Sequence, residues 1–143
     1  MPIAQVGNIE IVVKTRGEHC PPHVHADCDA EGWSARFKFY FESDDVDFWD
    51  LRPRNARKAP QASVLDEVGE AVYRNLVQVR KRWWEVMGTV CLSNQYVHCR
   101  AGKIIVLERF EKGALQILEA AYEPSRKTLR VGLSDGSIYE QLL

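Results

Sequence analysis

The sequence predicts an α+β fold: an N-terminal antiparallel β-meander packed by one long amphipathic helix, followed by a small β-rich unit. Three observations carry this. Residues 33–41 alternate, with Trp33, Ala35, Phe37, Phe39 and Phe41 on one face and Ser34, Arg36, Lys38 and Tyr40 on the other, the period-two signature of a half-buried strand. Residues 64–87 place Leu65, Val68, Val72, Leu76, Val79, Trp83 and Val86 at spacings of three and four, the stripe of an amphipathic helix. The last third holds short β-branched runs separated by turn residues.

The elements follow in order. Residues 8–15 read as a strand, and Gly17 to Pro22 turn the chain, because Pro21 and Pro22 fix their φ angles and cannot donate to a ladder. His23 to Cys28 is a short strand, turned at Glu31-Gly32 into the strand at Trp33. Residues 42–62 read as loop, punctuated by Pro53 and Pro60. Ser63 is the expected N-cap, with Asp66 three residues on, and Gly88 the expected helix stop. Burying the aromatic face of the Trp33 strand under this helix is worth about 1.5–3 kcal/mol per large side chain. Beyond it, Tyr96–Cys99 and Ile104–Phe110 flank a candidate hairpin, although periodicity also allows a helix there. Strands at 115–122 and 128–133 meet at Pro124-Ser125, and Asp135-Gly136 is a tight-turn signal. The expected units are therefore 1–88 and 89–143.

A net charge of −1 argues against binding nucleic acid or membrane through bulk charge. Charge is uneven locally. Glu42, Asp44, Asp45, Asp47 and Asp50 precede Arg52, Arg54, Arg57 and Lys58, which read either as solvated faces or as a basic edge for an acidic partner or nucleic acid, with Arg36 a further candidate phosphate contact. Arg80, Lys81 and Arg82 suit the C-terminal end of a helix dipole. No basic-then-apolar leader opens the sequence, and no apolar run nears the ~18 residues that span a bilayer. The four cysteines, Cys20, Cys28, Cys91 and Cys99, are accordingly expected as reduced thiols in a cytoplasmic protein. An exposed strand edge in the C-terminal unit could pair with a second copy.

The residues with most chemistry are His19, His23 and His25, around Pro21-Pro22. On a strand, His23 and His25 project from one face, continued by Asp27. A divalent transition metal such as Zn²⁺ could be held by His19, His23, His25 and Asp27, since an H-x-H pair needs one or two further donors. Cys20 and Cys28 bracket the pair, but Cys28 should face the other way. Acid–base cleavage of a phosphodiester is the second reading, with His23 and His25 as the acid–base pair and His19 assisting. A structural role, in which the imidazoles hydrogen-bond across the turn, is the third.

His19-x-Pro21-Pro22-His23-Val24-His25-Ala26, followed by Trp33-Ser34-Ala35-Arg36-Phe37 and a long helix ending at Trp83 or Trp84, resembles the domain of unknown function 4160 family over about residues 5–88. The tail from Thr128 to Ser137, with its Asp135-Gly136 turn, is similar to the domain of unknown function 2442 family. The resemblance implies a small bacterial or phage accessory or regulatory protein, of toxin–antitoxin type, with a cognate protein partner. It supports the three histidines and both prolines, leaves out the cysteines, and implies no reaction.

Overall fold

The computed structural model describes residues 2–143, whose strands form two antiparallel sheets of five. The first holds β1 (Ala4–Val6), β2 (Ile9–Val12), β3 (His23–Cys28), β4 (Trp33–Phe39) and β5 (Val46–Arg52), side by side in chain order. Two helices follow, α1 (Ala62–Arg74) and α2 (Leu76–Met87). The second sheet contains β6 (Tyr96–Arg100), β7 (Lys103–Leu107), β8 (Leu115–Glu123), β9 (Thr128–Leu133) and β10 (Ile138–Leu142), in the order β10-β9-β8-β6-β7. The fold is α+β. Residues 96–110 hold a hairpin and no helix; Ala101 and Gly102 both turn it at positive φ.

Three local expectations are corrected. The single helix is two, because at Asn75 the backbone leaves helical geometry (φ −114°, ψ 21°) while the side-chain amide donates to the Ala71 carbonyl at 2.7 Å. Asn competes in this way for backbone partners and interrupts helices. The first helix begins at Ala62 with Gln61 before it, so Ser63 lies inside the first turn and caps nothing. The stretch read as loop at 42–62 contains β5. Its alternation is masked by a β-bulge: Phe37 pairs with Phe48 and Arg36 with Asp50, leaving Trp49 as the extra residue.

The apolar face of β4 is buried as its alternation requires, from Trp33 through Phe41. The helices cover it. Phe37 lies against α1 at Gly69, and Trp83 of α2 meets Phe39 edge-on with ring centroids 5.9 Å apart. Arg80 is buried too, donating to the carbonyls of Tyr40 and Ser43 and to Asp44; it sits mid-helix and anchors α2 to the chain after β4, and the last turn of α2 holds no basic residue, so the expected dipole role is corrected. The acidic block is likewise largely paired: Asp47 accepts from Tyr40, and Asp50 from Arg36. One apolar cluster runs through both sheets. Phe41 stacks edge-to-face on Tyr122 at 5.1 Å, and Gln141 donates to the Glu42 carbonyl across the junction.

Cys20 and Cys91 form a disulfide, while Cys28 and Cys99 are free. This corrects the expectation of four reduced thiols. Among the described residues no helix is long and apolar enough to cross a membrane.

Candidate metal centre

His23 opens β3, immediately after the proline turn, and its ring is sealed: the side chain is only 1% exposed. Trp49 from the bulge and Trp83 from α2 flank it, with centroids 5.2 and 5.3 Å away. Its Nδ1 lies 2.8 Å from the Pro21 carbonyl. A carbonyl only accepts, so this nitrogen carries a proton, and in the neutral imidazole Nε2 then keeps its lone pair. That Nε2 points at a carboxylate, Glu18 Oε2. Two residues along the strand, His25 turns its own Nε2 to the other oxygen, Glu18 Oε1, at 3.0 Å. The ligand atoms of Glu18, His23 and His25 all lie within 4.8 Å of one another.

The local chain explains this convergence. Alternation puts His23 and His25 on one face of β3, with rings 5.3 Å apart. The Gly17–Pro22 turn doubles back so that Glu18, five residues before His23, stands over that face. Cys20, in the same turn, is tied to Cys91 beyond α2, which fastens the segment carrying Glu18 to the body of the protein.

Burial is the largest influence on His25 and holds its pKa below the usual histidine range; His23 and Lys14 push the same way, and Glu18 opposes them. A neutral His25 is ready to be a ligand, because metal binds deprotonated imidazole. Beside the cluster, Arg36 is buried and gives Asp50 two parallel hydrogen bonds, at 2.7 and 2.5 Å. That pairing raises the Arg36 pKa against the cost of burial, with Glu18 adding to it. The guanidinium carbon sits 3.9 Å from the Trp49 ring centroid, within cation–π range.

The sequence-derived candidates separate. His23 and His25 come together. His19 stands apart, its ring 6.0 Å from His23 and its Nδ1 on its own neighbour's carbonyl, Cys20 O. Asp27 shares the strand face but is bound to Lys14 Nζ at 2.7 Å and Ser34 Oγ at 2.6 Å. Burial would raise the Asp27 pKa, yet these bonds hold it below the ordinary value. The cysteine bracket supplies no ligands: Cys20 is in the disulfide, and buried Cys28 faces Asn8. Arg52 lies 3.4 Å from Asp50, and Arg54, Arg57 and Lys58 are exposed between β5 and α1. Sequence reasoning missed Glu18, whose only signal was its place in the same turn as His19.

No family model, curated protein or solved structure matches this chain.

Proposed function

We propose that the chain is a metal-binding protein whose centre is Glu18, His23 and His25, holding one divalent transition ion. One observation carries this reading. Two imidazole Nε2 atoms converge on the two oxygens of one carboxylate, and His23 gives its Nδ1–H to the Pro21 carbonyl. Such a cluster is held together either by protons on the Nε2 atoms or by a metal ion that binds the same lone pairs. The Pro21 carbonyl does what the outer partners of metal-binding histidines do, fixing tautomer and ring orientation. Two histidines and one carboxylate leave coordination positions open, as in catalytic zinc and non-haem iron sites. In the setting implied by the sequence resemblance, the centre would belong to a bacterial or phage accessory protein acting with a cognate partner.

Elemental analysis of protein purified without chelators tests the reading. One equivalent of zinc, nickel, manganese or iron per chain is expected, and Glu18→Gln or His25→Ala should lower affinity at least tenfold while the circular dichroism spectrum is kept. A folded wild-type protein that takes up none of these ions would overturn it.

Metal-free acid–base catalysis is the second reading. The half-buried His25 bonded to Glu18 supports it, since an imidazole oriented by a carboxylate is a competent proton carrier. His23 weighs against a histidine pair, because a sealed ring cannot reach a phosphodiester in a polymer. RNA cleavage that survives chelation but is lost in His25→Ala would favour this reading.

A further inference from the structure

We propose that the open positions of the centre take a phosphate-type oxyanion, with Lys38 and Arg36 as its counter-charges. The proposal rests on the metal reading above and names the ligand class of the same site. In the β3–β4 ladder, His23 is paired with Lys38 and His25 with Arg36. Directly paired residues present their side chains on the same face, so each histidine has a cation beside it. Both cations are held over one indole: Lys38 Nζ is 4.9 Å and the Arg36 guanidinium carbon 3.9 Å from the Trp49 centroid. The same indole stands edge-on to His23.

The charges on this face do not cancel. Asp50 neutralises Arg36, and Glu18 offsets one charge of a divalent ion. Lys38 enters no ion pair among the described residues, and Asp47 opposite it accepts from Tyr40 instead. With Asp47 counted against Lys38, a metal-loaded site still carries a net positive charge, which an anion would offset.

The shape of the donor set selects the anion. Arg36 gives Nε and one terminal nitrogen to Asp50, which leaves three of its five N–H groups, two of them on the other terminal nitrogen. What remains is a metal ion, one ammonium and the three free guanidinium N–H groups, charges carried on separate elements of the site. A fork matches planar carboxylates, whereas separate charges suit a tetrahedral oxyanion with several oxygens.

The test uses the full chain loaded with cobalt(II), whose visible absorption reports ligands entering the metal's coordination sphere. Titration with inorganic phosphate at constant ionic strength should change the spectrum and saturate. Acetate should bind at least tenfold more weakly. Lys38→Gln should weaken phosphate at least tenfold with cobalt affinity unchanged, and Lys38→Arg should restore most of it. A spectrum indifferent to phosphate, equal affinity for acetate, or a Lys38→Gln protein that binds phosphate like wild type would each overturn the proposal while leaving the metal reading standing. Failure to take up cobalt would overturn both.

Discussion

Single residues here show how far pattern reaches and where it stops. Parity along β3 correctly pairs His23 with His25 on one face, but it cannot tell which carboxylate joins them. Asp27 has the right parity and is spent on Lys14 and Ser34; Glu18 has no parity at all, because it arrives through a turn. Charge composition likewise cannot show that Asp50 belongs to Arg36. That pair has a pH signature. Its hydrogen bonds to Arg36 are the largest influence on Asp50 and hold its pKa below the ordinary carboxylate value. A depressed folded-state pKa stabilises the protein above the unfolded value, and the stabilisation is lost as pH falls through the folded one. Asp50→Asn should therefore be less heat-stable than wild type at pH 6, and the gap should close as melting is repeated toward pH 2–3. Trp33 gives the opposite lesson. Its indole N–H is buried without a partner, so the polar atom is a burden at that site. Trp33→Phe should cost under about 1 kcal/mol by urea denaturation, where truncation of a well-packed aromatic costs about 3–5 kcal/mol.

Among the elements, those with clean periods were legible. The β4 strand, the apolar stripe of both helices and the β8–β9 and β9–β10 pairs follow from spacing and turn residues, whereas the spacing at 96–110 allowed a helix as well as the hairpin that forms. β5 was hidden because a bulge at Trp49 breaks its period, and the interruption at Asn75 was hidden because the apolar spacing runs through it unbroken. A helix stop was legible at Gly88, which takes the left-handed conformation at φ 64° and donates to the Trp84 carbonyl. A Cβ there would meet no atom within 4 Å, so only the backbone opposes a side chain. Gly88→Ala should lower stability by roughly 1 kcal/mol through conformational strain alone, read as a shifted denaturation midpoint with unchanged slope.

Across the whole molecule, the Cys20–Cys91 bridge is the one covalent link that spacing along the sequence did not disclose, since four cysteines allow several pairings. The two residues are 71 apart, and closing a loop of that length constrains the unfolded chain by about 4 kcal/mol in the chain-entropy account. It also gives the protein a covalent topology: a closed ring running through β3, β4, β5, α1 and α2, with β1–β2 and the entire second sheet hanging from it as two tails. Arg54, Arg57 and Lys58 lie on that ring, exposed. A single tryptic cut there opens the ring without dividing the molecule. The nicked protein should migrate as one species on a non-reducing gel and as two after dithiothreitol, and Glu18, His23 and His25 should stay on the fragment that ends at the cut.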